Sequence, residues 1–415
     1  MTISQKINFC RVCLNTDLKK VLDLGQQPLA NSFLISPDED EDLYPLDVYL
    51  CERCGHVQLG TNVDRRHIFR SYIYFSAPNP TLREHFKEYA DEVKRRVPTW
   101  QDDLIVEIGS NDGLLLRKFS SDADNVLGVD PAENIPAAVP TWREFFGSNT
   151  AARIIAEKGK KARVIMANNV VAHTFDLRDM VGGMAELLDD DGLIVVESPW
   201  LGDMFENNAY DTIYHEHLSY FSVNTLLYLF SLFGLTMTDL RFHPVQGNSF
   251  RAFFQKGGRG QVSRFAEEIA KREQEAGWTR QPAFDALARQ IEQSKNILLA
   301  KLQKLKAESK SIAGYGAPAK GNTIINYTGA GKYLDCLIEG MPSKIGRYAP
   351  GSRLPVVRRD QVSPDAFVMF AWNYRPHILA KEKDFKGHWI IPNDMDNSEP
   401  NLKTKAPLLQ QLFKS

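Results

Sequence analysis

The stretch Asp103-Leu104-Ile105-Val106-Glu107-Ile108-Gly109-Ser110-Asn111-Asp112-Gly113 decides how this chain is read. A hydrophobic strand signal, Leu104–Ile108, runs into an acidic turn bracketed by glycines, and a helix is expected from Leu114 onward. Glycines let backbone amides approach a ligand at the carboxyl end of a strand. A dinucleotide fold would prefer G-x-G-x-x-G. The turn here reads E-x-G-S-N-D-G, whose side chains suit an amino-acid zwitterion and a sulfonium better than a pyrophosphate. Roughly 20 residues on, the strand signal Val126–Val129 ends in Asp130-Pro131, where a carboxylate can accept both ribose hydroxyl protons of an adenosine. The two strand ends together describe a site for S-adenosylmethionine (SAM), with Glu107, Gly109, Asn111, Gly113, Asp130 and Pro131 as its candidate residues.

Outward from this stretch, strand and helix signals alternate. Strands are expected at 163–167 and 193–197 and a helix through 177–188, the pattern of a parallel sheet with crossover helices. Asn168, Asn169 and His173 follow the strand at 163–167, at the mouth of the expected pocket, and Asn168 is assigned to the cofactor. Helical spacing over 81–97, stopped by Pro98, opens this middle domain. Residues 282–308 place Phe284, Leu287, Ile291, Leu298, Leu302 and Leu305 on one stripe, a long amphipathic helix. Strands expected at 311–314, 333–338, 366–371 and 389–391 then indicate a second, smaller α/β domain. The fold class is α/β with domains at 1–75, 76–258 and 259–415: a zinc-binding module, a Rossmann-like SAM domain and a Rossmann-like C-terminal domain.

The first 75 residues read as short strands and turns holding Cys10/Cys13 and Cys51/Cys54, four of the five cysteines. Two C-x-x-C turns can close a tetrahedral S4 site around a structural Zn2+ with no open position. His56 reads as a bystander.

The formal charge of −2, from 50 basic and 52 acidic residues, gives no field for nucleic acid or an anionic membrane. Lys6 and Arg11 interrupt any signal-peptide run, and the most apolar stretch, 226–237, falls short of the roughly 20 residues that span a bilayer and reads as a buried helix. A cytoplasmic protein is expected.

Tyr210-Asp211-Thr212-Ile213-Tyr214-His215-Glu216-His217 gathers groups that titrate or donate hydrogen bonds. His-Glu-His lacks the spacing of a zincin helix, so acid/base chemistry is the better reading. Gly314-Tyr315-Gly316-Ala317-Pro318-Ala319-Lys320-Gly321-Asn322 forms a strand-to-helix turn suited to a diphosphate, and 344–351 adds Lys344 and Arg347.

The ordered set C-x-x-C…C-x-x-C, E-x-G-S-N-D-G, A-N-N-V-x-A-H, Y-H-E-H-x-x-Y and G-Y-G-A-x-A-K-G resembles the three-domain sugar C-methyltransferase family from Cys10 to about Asn373. The resemblance implies methylation of carbon 3 of a nucleotide-linked 4-keto-deoxysugar. It implies His217 as general base, with Tyr214, Glu216, Asn169 and His173 as further active-site residues. Tyr74, Tyr315, Lys320, Asn322, Arg347 and Arg251 are the expected substrate-binding residues. The substrate would be dTDP- or GDP-linked, and the enzyme a monomer or weak homodimer without nucleic-acid or membrane partners. Two departures stand out: Gln246-Gly247-Asn248-Ser249-Phe250-Arg251 replaces the family's H-G-G-S-L-R, and Glu339-Gly340-Met341-Pro342-Ser343-Lys344-Ile345-Gly346 replaces D-x-N-P-x-K-x-G. The alternatives are a nicotinamide-dependent oxidoreductase using the turn at 314–323, weakened by the missing G-x-G-x-x-G, and a zinc-module adaptor, weakened by the acidic run 37–42.

Overall fold

Strands whose every residue is apolar and buried must be covered on both faces, and Val126–Val129 and most of Leu104–Ile108 are of this kind. A computed structural model of the chain describes residues 3–69, 80–119, 125–244, 247–258 and 260–394. In chain order its strands are β1 (Ser4–Lys6), β2 (Leu18–Gln27), β3 (Tyr44–Cys51), β4 (Val57–Leu59), β5 (Thr61–Val63), β6 (Leu104–Ile108), β7 (Val126–Val129), β8 (Thr141–Trp142) and β9 (Ala162–Asn168). They continue as β10 (Leu188–Pro199), β11 (Ser219–Tyr220), β12 (Leu235–His243), β13 (Ser249–Lys256), β14 (Ile312–Tyr315), β15 (Cys336–Ile338), β16 (Val356–Val357), β17 (Ala366–Met369) and β18 (His388–Ile390).

The middle domain is a sheet in the order β12-β13-β10-β9-β6-β7-β8, parallel except for β13, which runs against both neighbours. The order reverses between β6 and β9, the switch point where open α/β sheets bind ligands beyond their strand ends. Helix Pro80–Arg96 covers one face through Leu82, Phe86, Tyr89 and Val93. Helices Ser148–Lys158, Leu177–Leu187 and Val223–Ser231 cover the other. The helix expected after Gly113 is only a 3-10 turn at Leu116–Lys118, because Leu114, Leu115 and Leu116 are all buried and cannot share one face of a helix. The stretch 226–237 is likewise divided: its helix ends at Ser231, Gly234 turns the chain at φ 69°, and β12 follows. Helix Arg264–Glu275 packs Ala266, Ile269 and Ala270 on this same core, beyond the expected domain limit at 258.

The C-terminal domain is an all-parallel sheet, β16-β15-β14-β17-β18, entered through helix Gln281–Ala307 with the expected stripe buried. The N-terminal module pairs β2, β3 and β4 antiparallel, and its fourth strand, β11, comes from the middle domain. Val48, Leu50, Val57 and Leu59 of the module share one hydrophobic cluster with Leu218 of the middle domain and Phe284, Leu287 and Leu298 of the long helix. All three domains therefore share this cluster.

Candidate active site

The two C-x-x-C turns fold alike. Leu14 N–H bonds the carbonyl of Cys10, Gly55 N–H bonds that of Cys51, and both residues are left-handed, at φ 61° and 72°. The four Sγ atoms lie within 4.8 Å of one another, with Cys10–Cys54 and Cys13–Cys51 at 3.5 Å. A tetrahedron with Zn–S near 2.3 Å sets its sulfurs about 3.8 Å apart, so the donor set fits zinc. His56 lies apart, with Nε2 3.1 Å from Ser219 Oγ.

A cavity of about 600 Å³ opens at the switch point and is walled by all three domains. On the middle-domain side it is lined by Gly109, Asn111, Asp130, Pro131, Asn168, Asn169 and His173. Gly109 sits at φ 70°, and a β-carbon there would stand 2.9 Å from the Val170 side chain, so only glycine keeps this turn open. The Asp130 carboxylate receives the amides of Asn111 and Ala132 at 2.8 and 2.9 Å, and burial pushes its pKa up against those two bonds. Asn169, left-handed at φ 52°, presents a buried amide oxygen with no partner among the described residues. Such an orphan acceptor suits the ammonium of an amino-acid ligand, and the whole edge fits SAM.

Glu107 and Gly113 stand behind this wall rather than in it. The Glu107 carboxylate is buried, accepts the amide of Leu116, and is driven well above the usual carboxylate range by desolvation. Gly113 turns at φ 76° against Val139. Both shape the loop from inside.

His217 N–H bonds the Tyr214 carbonyl at 2.9 Å, closing a tight turn. Its ends, Tyr214 and His217, face the cavity. Its middle residues face away: His215 packs under the Tyr44 ring, and the Glu216 carboxylate accepts Asn31 Nδ2 at 2.6 Å. The geometry fixes the His217 tautomer. Nδ1 lies 2.8 Å from the Thr212 carbonyl, which can only accept, so Nδ1 carries the proton and bare Nε2 accepts the Tyr214 hydroxyl at 2.8 Å. Burial, then the neighbouring His173, holds the His217 pKa well below 6.5 against the pull of the Thr212 carbonyl. His173, whose ring centroid is 4.9 Å away, is lowered to about 4 by burial. Both imidazoles are thus neutral at physiological pH.

On the C-terminal side Tyr315, Gly316, Lys320, Lys344 and Arg359 line the cavity at the start of helix Ala319–Thr328. The Tyr315 hydroxyl donates to Glu382 at 2.9 Å. Three expected substrate residues lie outside the lining. Asn322 donates to the carbonyl of Ala30 at 2.8 Å, and Arg347 reaches that of Phe33 at 3.3 Å, so both staple the N-terminal module. Arg251, buried on β13, pairs with Glu197 and Glu92, each at 2.9 Å, and stacks on Tyr89. A strand-interior arginine between two carboxylates has no reach left for a ligand. Tyr74 and Gln246 lie outside the described residues. Sequence reasoning missed Asn31, Arg65, Phe145 and Arg359 in the lining; only the aromatic pair Phe145-Phe146, just beyond β8 at a sheet edge, carried a local signal.

A Rossmann-like sheet with a glycine-cornered switch point, joined to a four-cysteine zinc module, defines a SAM-dependent methyltransferase. Comparison with known proteins narrows the class. Residues 82–240 match the family described as "Methyltransferase domain", 10–69 that described as "Putative zinc binding domain" and 244–392 that described as "C-methyltransferase C-terminal domain". The C-methyltransferase NovU of Streptomyces niveus is 32% identical over 405 residues, covering 94% of this chain and 96% of its own. The chain belongs to this three-domain C-methyltransferase family. Among solved structures, the PH0226 protein of Pyrococcus horikoshii OT3 aligns with a TM-score of 0.34 at 11% identity, over 46% of this chain and 97% of its own. Magnesium protoporphyrin IX methyltransferase of Synechocystis PCC 6803 with bound SAM aligns at 0.31 and 10%, over 42% and 79%. No helix among the described residues is long and apolar enough to cross a membrane.

Proposed function

We propose that the enzyme methylates carbon 3 of a nucleotide-linked 4-keto-deoxysugar, with His217 as general base. The observation that carries this reading is the Tyr214–His217 pair, a neutral imidazole and a phenol 2.8 Å apart on the wall of the shared cavity. A proton on carbon next to a ketone is acidic enough for a placed imidazole once the enolate oxygen has a donor. In the free enzyme the Tyr214 hydroxyl occupies Nε2. When the sugar's carbonyl arrives, that hydroxyl turns to the carbonyl oxygen and frees Nε2 to take the proton from carbon 3. Bound SAM supplies the electrophilic methyl. The chain's task is to hold nucleophilic carbon, methyl and sulfur in line within about 3 to 3.5 Å, and Gly109, Asn111 and Asp130 face the cavity for that purpose. Lys320, Lys344 and the start of helix Ala319–Thr328 supply a cationic cradle for the diphosphate.

Incubation with methyl-labelled SAM and a panel of dTDP- and GDP-linked 4-keto-deoxysugars tests this directly. NMR should place the label on carbon 3; label on oxygen or on another carbon would overturn the assignment.

A further inference from the structure

The loop after β2 carries an amide into the cavity, and no role in the chemistry above uses it. Three contacts hold the loop. The Ala30 carbonyl receives Asn322 Nδ2 at 2.8 Å, Leu34 and Tyr348 exchange two backbone bonds of 2.9 Å, and Ala30 packs with Tyr214 and Ala319. Asn31, between these anchors, lines the cavity and donates Nδ2 to Glu216 Oε1 at 2.6 Å.

A carboxylate only accepts, so the bond to Glu216 settles which end of the amide is nitrogen and which is oxygen. Glu216 is itself buried and outside the cavity lining. Its carboxylate acts as the fixed post that aims the amide. Among the described residues the Asn31 oxygen and its second N–H meet no protein partner. An acceptor and a donor presented side by side match a group that both donates and accepts, which a phosphate cannot do, and the position beside Tyr214 makes a sugar hydroxyl that group.

We infer that Asn31, delivered by the zinc module, is a substrate-binding residue that grips a hydroxyl of the sugar beside Tyr214, with Glu216 as its positioning residue. The inference rests on the nucleotide-sugar reading above and adds that the zinc module forms part of the sugar subsite.

The test uses the full-length zinc-loaded protein and the variants Asn31→Ala and Asn31→Asp, with steady-state kinetics on a keto-sugar that the wild type methylates and calorimetry for SAM. Asn31→Ala should lower kcat/KM for the sugar about tenfold, the worth of one hydrogen bond to a neutral group, with SAM affinity and zinc content unchanged and only a modest fall in melting temperature as the buried Glu216 loses a donor. Asn31→Asp sets a second carboxylate against Glu216. One of the pair must then hold a proton, so kcat/KM should gain an ionisation absent from the wild type and recover toward acid pH. Wild-type kinetics in Asn31→Ala, an unmoved pH profile in Asn31→Asp, or a rate loss that tracks zinc loss would each overturn the inference while leaving methyl transfer intact. A wild-type enzyme that neither binds nor methylates any nucleotide-linked keto-sugar would instead remove the functional reading, and this inference with it.

Discussion

Replacing Tyr214 by phenylalanine separates the two duties assigned to its hydroxyl. The ring stays where it packs, 4.1 Å from the His217 ring centroid, and only the oxygen at 2.8 Å from Nε2 is lost. Loss of one preorganised donor to a developing oxyanion costs about 10²- to 10³-fold in kcat, or about 2.7 to 4 kcal/mol. The second effect concerns the free enzyme, where the phenol donates to Nε2, a bond that only the neutral imidazole can accept. Without that bond the pKa rises, and the acid limb of kcat/KM, which reports the free enzyme's base, moves to higher pH than in wild type. SAM affinity should not change, because Gly109, Asn111 and Asp130 line the cavity from other elements. Kinetics from about pH 5 to 8 give both numbers. Exchange of the carbon-3 proton in D2O, with S-adenosylhomocysteine in place of SAM, isolates enolate formation. His217→Ala should abolish exchange, and the double variant should be no slower than His217→Ala alone, since the two groups act as a unit. Wild-type exchange in Tyr214→Phe, or a wild-type acid limb at or above pH 7, would refute this account.

Cys51→Ser should lose zinc and melt at a lower temperature, because metal binding and folding are coupled in such modules; an unchanged melting curve in zinc-free protein would contradict that. Gly109→Ala forces a left-handed alanine and a β-carbon 2.9 Å from Val170. Calorimetry should show SAM affinity about 5- to 30-fold weaker, from the roughly 1 to 2 kcal/mol of backbone strain that holding the turn for the cofactor would cost, and wild-type affinity would show that the turn does not touch the cofactor. Acid should destabilise the fold through its buried neutral histidines: burial lowers His56 to about 3 and His173 and His215 to about 4. Each binds its proton in the unfolded chain near pH 6.5 but not in the folded one, so its contribution is complete above that pH and is lost as pH falls toward 4, at up to about 1.4 kcal/mol per pH unit per group. A melting temperature flat from about pH 6.5 to 4.5 would count against it.

What could be read from sequence was what repeats or clusters locally. The stripe from Phe284 to Leu305 is a helical period, and helix Gln281–Ala307 buries it. The cysteine pairs and the turn after β6 are each written within a few residues. Pairings between distant segments leave no such mark. β11 is two residues long and exists because Val57 and Gln58 lie opposite Tyr220 and Ser219. Arg251 looks like a ligand-binding cation in sequence; Glu197 and Glu92, 54 and 159 residues away, consume its donors. Asn31 looks like a loop residue until Glu216, 185 residues on, gives its amide a direction.

These pairings also account for the zinc module in a methyltransferase. The turn from Tyr214 to His217 lies beyond β10 and outside the seven-stranded sheet, so no ladder of the middle domain holds it. Its downstream end is pinned by β11 to β4 and by the bond from Leu59 N–H to the Leu218 carbonyl at 3.0 Å. β4 in turn pairs with β3, whose last residue is Cys51. A closed S4 site has no open position for catalysis and can contribute only stiffness. Here that stiffness is applied one strand away from His217, in a segment whose tautomer and reach depend on ångström-scale placement. Zinc at the far side of a β-hairpin thereby becomes a condition for the geometry of His217, although no cysteine approaches the reacting atoms.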